Sequence, residues 1–593
     1  MKAISKYIYT GLLSAILFGG CNDMDLKPDG VMTEEVTFST YNNFITYAWQ
    51  FYGVFPGYDQ SAPDAEINSD LFARANNNAT SDWIWQRIVV PGSSPDYSNP
   101  YIKIREVNIM LDNIDRATAL SETEKSHIRS IGYFFKAYNY MDLLNKYGKA
   151  IWTDKAVGDG DKEILYGKPA TRDELAQHIV DMLNYAETNI KATGDGKNSI
   201  TTDVVRALIS RFGLREGTWR KYHNLQNAAV FLKWSADASE KIINKFPTLH
   251  ADYDALFNSE SLANVSEVLL YKQYEQNQIV HSLASLARNS SGRWDLTKTA
   301  VDLYLLKDGQ TRWTSPMFDG DKNAYDEFRN RDTRLYFTVS PPFKVNAAHP
   351  TKTWTYTNDP KDREYIDLMA TLSDEKRKTL PTINWEGLIV KQEPHFVDFN
   401  NGQPFNVTFT GYRFYKFSNK IQRIQSQDIN DAPIFRTAEV YLNYAEAKYE
   451  LGLISQDIVN ATINKLRARG GVGALDLSAI PQDPTRDAAV HPALWEIRRE
   501  RAVELMGEGF RFDDLRRWKK MEYATVRKIG RYITKGVDVG ANAPIPILNG
   551  ATAGYIAYEA QAPQSYPDYY YLYPIPSGEI VLNNNLVQDE GWK

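Results

Sequence analysis

The stretch RTAEVYLNYAEAKYELGLISQDIVNATINKLRAR, residues 436–469, spans 34 residues, the length of one tetratricopeptide (TPR) helix pair. Ala438, Tyr441, Leu442 and Ala445 recur at helical spacing and form one packing stripe. Gly452 ends the first helix, because glycine enters the left-handed backbone without a side-chain penalty. Ser455 is placed to cap the second, which the pattern carries to about Arg469. The same periodicity lies upstream. Ile104, Val107, Leu111 and Ile114 mark one helix. Ile128, Ile131, Phe135 and Tyr138 mark another, after a capping box at Ser121 and Glu124. Val205, Leu208 and Phe212 mark a third, and a fourth covers about 228–245. No strict consensus repeats. The expected fold is mainly α, a scaffold of TPR-like helical pairs.

The middle of the chain differs. Residues 280–430 are rich in Pro, Gly, Asn, Asp and Trp, and SPPFKVNAAHPTKTWTYTNDP (340–360) and HFVDFNNGQPFNVTFTGYRFYKF (395–417) read as loops with a few short strands. A large loop-rich insertion on a rigid helical scaffold is where binding tends to sit.

Composition excludes several functions. With 68 basic and 74 acidic residues the net charge is −6, which offers no general basic face to a nucleic acid. The eight histidines are dispersed and there is one cysteine, so neither a multi-thiolate nor a histidine-rich metal centre is expected. No glycine-rich phosphate loop or GxSxG elbow occurs, and no cofactor is expected. The chain holds 13 Trp, 37 Tyr and 25 Phe. Trp and Tyr, each flat with a polar tip, suit both packing and the grip of polar ligands.

Lys2 and Lys6 precede an uncharged, largely apolar run from Tyr7 to Gly20. Fourteen helical residues rise about 21 Å, short of the roughly 30 Å hydrocarbon core. Residues 1–20 therefore read as a signal peptide. Gly19-Gly20 and the lone Cys21 resemble a bacterial lipobox, with Phe18 where Leu is commoner. Cys21 is the expected lipidation site and 21–40 a lipidated leash, with acyl chains contributing about 0.8 kcal/mol per buried CH₂.

Longer segments resemble the SusD/RagB family of outer-membrane nutrient-binding lipoproteins. These are EIRRERAVELMGEGFRFDDLRRW (496–518), DLYLLKDGQ (302–310), NRDTRL (330–335), APIFRTAEVYLNYAEAKYELG (432–452) and YLYPIPSGEIVLNNNLVQDEGW (571–592). FFKAYNYMDLLNKYG (134–148) and PATRDELAQHIVDML (169–183) fit the family's N-terminal half. Departures are Ala150 in place of a proline and Gln588-Asp589-Glu590 in place of QNP. The resemblance implies an N-terminal SusD-like helical region at 41–265 and a RagB/SusD C-terminal region at 266–593. Within the latter, 280–430 would be the ligand face and 431–593 helical with the hallmark. It also implies four TPR-like pairs, a SusC-like TonB-dependent transporter as partner, capture of oligosaccharides (or peptides, in the RagB branch) for import, and no enzymatic activity. Asp23 and Asp25 resemble the signal that sends such lipoproteins to the cell exterior.

Ligand residues are expected where rings and polar groups share loops, because a sugar packs its C–H face on a ring while its hydroxyls need polar partners. The candidates are Asp70, Arg74, Asn76, Asn77, Trp83 and Trp85, then Arg293 and Trp294, then Trp313, Trp354 and Tyr356. Glu500, Glu504 and Glu508 sit at i, i+4 and i+8, near glycosidase spacing, but Arg498, Arg499, Arg501, Arg511, Arg516 and Arg517 around them favour packing ion pairs. Asp319, Asp321 and Asn323 have Ca²⁺-loop spacing, yet Ala324 and Asn330 stand where Gly and Glu would be needed, so an ordinary polar turn is expected. Peptide import, a surface glycoside hydrolase and a purely structural adaptor remain as rival readings.

Overall fold

The computed structural model describes residues 34–74, 80–288, 294–340, 408–419 and 426–592, with the backbone of 346–347 and 354–355. Helix α1 is Tyr41–Ala48, α2 Pro95–Ile114, α3 Glu122–Tyr147, α4 Arg172–Asn189, α5 Thr202–Tyr222 and α6 Ala228–Lys245. Local sequence sets their starts. Ser94 accepts from the Asp96 N–H, Ser121 and Glu124 form the expected capping box, Thr171 and Glu174 form another, and Thr201 accepts from Val204. Gly148, at φ +70°, ends α3 in the left-handed conformation. Each helix from α2 to α6 packs on the next.

The chain then leaves the stack and returns as α7, Thr437–Glu450, which packs along α6 despite the intervening residues. Helices α8 (Gln456–Ala461), α9 (Ile463–Arg469), α10 (Pro492–Glu504) and α11 (Arg511–Arg517) follow. Ser455 caps α8 as expected. The second helix of the opening stretch is broken at Thr462, whose hydroxyl donates to the Ile458 carbonyl at 2.6 Å. Helix α7 packs on α6, α9 and α10, so the opening stretch joins the stack through its first helix.

The tightest helix contact depends on two glycines. A Cβ on Gly213 would lie 2.9 Å from the Phe231 carbonyl oxygen and the Ser235 nitrogen, and one on Gly217 2.7 Å from Leu232 Cγ. Their absence lets α5 and α6 approach until Ser235 Oγ donates to the Ser210 carbonyl at 2.7 Å.

Short antiparallel strands organise the loop-rich half. They are β1 Phe72–Arg74, β2 Val268–Lys272, β3 Trp294–Leu296, β4 Asn346–Ala347, β5 Trp354–Thr355, β6 Ala432–Arg436, β7 Tyr532–Thr534 and β8 Ala553–Tyr555. Strands β2 and β6 zip the neck of the insertion, Val268 opposite Arg436 and Lys272 opposite Ala432. Strand β1 pairs with β3, Arg74 opposite Trp294, and β3 is flanked on its other side by 411–414 through an Asp295–Arg413 bridge. The region after the hallmark, expected to be helical, instead forms the β7/β8 hairpin. One apolar core fills the helical stack, around Phe135, Leu144, Leu208 and Ile242. A second, around Phe72, Trp294, Tyr304, Tyr412 and Phe414, fills the loop-rich half.

Candidate functional site

The hallmark helix α10 and its continuation form a buried charge network. Glu504 is fully buried and accepts from Arg436 at 2.6 Å, Arg469 at 2.5 Å and Arg334 at 2.9 Å. Glu500 pairs with Arg334 and Arg467, and Glu508 with Arg436 and Lys416. These carboxylates are ion-paired as expected, but by cations from other elements. The hallmark's own arginines serve elsewhere, as in Arg499 with Asp483 and Glu496, Arg511 with Asp70, and Arg517 with Glu446 and Asp514. Sequence proximity misassigned the partners because a helix in a core is matched by whatever packs on it. Burial alone would raise the Glu504 carboxyl, but Arg469, Arg436 and Arg334 hold it well below the usual carboxylate range. A group so held is no general acid. The network fixes the frame.

A different surface presents one of the ring-bearing candidates, Trp313. Trp313 is 46% exposed. Beneath it the Arg312 guanidinium lies 4.4 Å from its ring centroid and 4.8 Å from that of Phe318. Arg312 is pinned by Asp302 at 2.8 Å and Asp321 at 2.5 Å, and Asp321 also accepts from the Tyr555 hydroxyl at 2.6 Å. One face of the indole is thereby backed by a fixed cation and the ring stands as a rigid shelf. Asp321 is occupied by these donors and Asn323 caps a short helix by accepting from Tyr325, so this turn is the polar turn expected.

From Tyr555 the chain runs to Tyr558 and Glu559, a reach of at most about 14 Å. The Tyr558 hydroxyl accepts from the Arg74 N–H at 3.1 Å and donates to its carbonyl at 3.0 Å. Glu559 accepts from the Trp85 indole at 3.1 Å and from the Lys528 N–H at 2.8 Å. Burial lowers the Lys528 ammonium to about 8, against the pull of Glu559. The Tyr555–Glu559 segment therefore ties the Trp313 shelf to Arg74 and Trp85. Sequence reading missed Tyr555, Tyr558 and Glu559, whose only signal was the tyrosine-rich run GYIAYEA (554–560).

Other candidates fall elsewhere. Trp294 is 1% exposed, its indole N–H on Asp64 at 2.8 Å, so its ring has no free face. Asp70 is buried in a two-pronged pair with Arg511 at 2.8 Å. Both are corrections to the expected ligand set: Trp294 is core and Asp70 is committed to the hallmark. Trp83 is half-buried in a ring cluster, its centroid 4.4 Å from that of Tyr573, with Tyr570, Phe512 and Trp592 around it. Trp354 contributes backbone to β5, opposite Ala347. Cys21, Asn76, Asn77, Arg293, Tyr356 and the side chain of Trp354 lie outside the described residues.

A cavity of about 1340 Å³ also opens between α2, α3, α5 and the hallmark. Its charges are largely paired internally, Lys146 with Asp96 and Asp142, Arg215 with Asp513, and Arg501 and Arg517 with Asp514. Half-buried Tyr138 and Phe510 are among its lining residues, with the Arg211 and Arg501 guanidiniums 5.4 and 5.5 Å from the Phe510 ring centroid. Among the described residues no group of acids, histidines or thiols is arranged to hold a metal, and no helix is long and apolar enough to cross a membrane.

The model of the SusD family matches residues 266–592, more than half of the chain. The chain belongs to the SusD family. A second model, described as starch-binding associating with outer membrane, matches residues 24–214, so the family assignment covers both halves and associates the protein with the outer membrane. No curated protein resembles the chain closely enough to count as a match. Among solved structures, a SusD-like protein from Bacteroides fragilis superposes with a TM-score of 0.68 at 18% identity, covering 94% of this chain and 99% of its own. A SusD-like carbohydrate-binding protein from the same species gives 0.67 at 19%, covering 93% and 100%. The surface glycan-binding protein A of Bacteroides fluxus gives 0.55 at 16%, covering 93% and 100%. At these identities the likeness establishes the SusD fold, mainly α with TPR-like pairs. No catalytic family is indicated.

Proposed function

We propose that this SusD-family protein is a non-catalytic, cell-surface glycan-binding lipoprotein. It captures oligosaccharides and serves as the lid of a SusC-like TonB-dependent import barrel. Lipid on Cys21 tethers the 21–40 leash to the outer leaflet, facing the exterior. The observation that carries the reading is Trp313, a large ring held open to solvent by a sandwiched, doubly pinned arginine. Such rigidity lowers the ordering cost of binding, and an exposed indole suits the C–H face of a sugar. Tyr555, Arg74 and Trp85 extend the face, and Asn76, Asn77, Trp83, Arg293, Trp354 and Tyr356 stay in the proposed ligand set from the sequence. The names of the carbohydrate-binding and glycan-binding relatives agree with this. A ligand touched by both lid and barrel would favour the closed state through its differential affinity for the two states.

The test is a binding screen of the purified protein against plant, host and microbial glycans, with a peptide digest as comparator. Saturable glycan binding weakened about tenfold by Trp313→Ala, equal to about 1.4 kcal/mol, is expected. Binding of peptides alone would transfer the protein to peptide import.

A further inference from the structure

The cavity between α2, α3, α5 and the hallmark shares no lining residue with the Trp313 face. At about 1340 Å³ it exceeds the roughly 300–1,000 Å³ of a pocket for one drug-sized ligand, so a chain of sugar rings has room in it. Phe510 supplies a half-buried ring whose place is fixed by the backbone. The Gly509 and Phe510 N–H groups donate to the buried Glu66 carboxylate at 2.9 and 3.1 Å. A smaller recess of about 120 Å³ is lined by Tyr138, Arg211 and Phe510 as well, which places the three together.

Several polar groups lining the cavity are held in place yet incompletely used. Arg501, 4% exposed, donates Nε–H to Asp514 and Nη1–H to Asn443, both at 2.8 Å, and its Nη2 meets no acceptor among the described residues. Arg211 donates from Nε and Nη2 to Glu439, at 2.7 and 2.6 Å, which leaves Nη1. Asn139, 5% exposed, donates Nδ2–H to the Phe135 carbonyl at 2.8 Å, and its Oδ1 receives no donor among the described residues. The Tyr138 hydroxyl makes no hydrogen bond among them at all, and burial raises it against the pull of Arg211.

The lining charges cancel. Lys103 pairs with Glu106, Lys146 with Asp96 and Asp142, Arg215 with Asp513, and Glu508 with Arg436 and Lys416. Only Lys272 and Asp59 lack an opposite partner among the described residues, and they are of opposite sign. An ion entering the cavity would give up its hydration without gaining an unpaired counter-charge. A hydroxyl both donates and accepts, and so matches the free groups of Tyr138, Asn139, Arg211 and Arg501 together.

We infer that this cavity is a second binding site, for a neutral oligosaccharide that packs a sugar ring on Phe510 and sets its hydroxyls against Tyr138, Asn139, Arg211 and Arg501. This inference rests on the glycan-binding reading above and adds a site separate from Trp313.

The purified protein is titrated calorimetrically with malto-, laminari- and xylo-oligosaccharides, with an oligogalacturonide and a peptide digest as comparators. The parent is compared with Trp313→Ala, Tyr138→Phe and the double variant. Tyr138→Phe removes a hydroxyl that has no protein partner, so its melting temperature should match the parent's. At least one neutral oligosaccharide should still bind Trp313→Ala, and adding Tyr138→Phe should weaken that remaining binding about three- to tenfold, as loss of one hydrogen bond does. Hydroxyl-radical footprinting of the parent gives an independent reading. Saturating oligosaccharide should shield Tyr138 and Phe510 and leave Trp49, 43% exposed, unchanged. Binding that Trp313→Ala abolishes, with Phe510 oxidised equally in the free and saturated protein, overturns the inference and leaves the glycan-binding reading at Trp313 standing. Shielding of Phe510 by the oligogalacturonide or the peptides alone also overturns it. Absence of any saturable glycan binding defeats both.

Discussion

Replacing Glu504 by glutamine keeps its shape and one acceptor oxygen while removing the charge shared by Arg334, Arg436 and Arg469. None of the four side chains is more than 3% exposed, so water cannot take up the imbalance. Breaking one side of a buried ion pair costs about 3–5 kcal/mol. At about 2 °C per kcal/mol for a large chain, Glu504→Gln should lower the melting temperature by about 6–10 °C at neutral pH. The pH dependence gives a second check. The folded carboxyl is held below its ordinary value of 4.5, so its contribution is present above that value and is lost as pH falls through the folded value. The gap between parent and variant should be full at pH 7 and shrink below about pH 4. Scanning calorimetry at several pH values reads both. A variant within about 1 kcal/mol of the parent at pH 7, or a gap that widens on acidification, would refute the assignment of the hallmark as the structural centre.

Other expectations follow from single sites. Gly213→Ala forces its new methyl against the Phe231 carbonyl at 2.9 Å and should cost about 1–3 kcal/mol in urea unfolding, as overpacking does. Burial lowers the His223 imidazole to about 4, against its bond to the Arg516 carbonyl, so between about pH 6.5 and 4 the unfolded chain holds more protons than the folded one. Stability should fall across that window, and His223→Gln should flatten the fall in a pH series of melting curves. Cys21→Ser should abolish incorporation of labelled palmitate and release the protein from the membrane fraction.

Much of the fold was legible because it rests on short-range rules. The Ser121–Glu124 box, the Ser455 cap and the stripe of Ile104, Val107 and Ile114 each depend on residues within a turn or two of one another. What required coordinates was long-range. Nothing local indicates that α7 lies against α6, or that the arginines matching Glu504 come from residues 334, 436 and 469. The ligand candidates divide for the same reason. A tryptophan beside polar residues looks alike whether it packs inward, as Trp294 does on Asp64, or stands outward, as Trp313 does over Arg312. Arg74 and Trp85 were legible as residues, but the segment that joins them, Tyr558-Glu559, is almost 500 positions away from Arg74 and gives no local sign of it.

The most direct test of the account is a protection footprint. The protein is oxidised with N-bromosuccinimide with and without saturating glycan, and each tryptophan is read by mass spectrometry. Trp49, 43% exposed, serves as the internal control for Trp313, 46% exposed. Glycan-capture on the proposed face predicts that ligand shields Trp313 and leaves Trp49 unchanged. Equal oxidation of Trp313 in the free and saturated protein would contradict it.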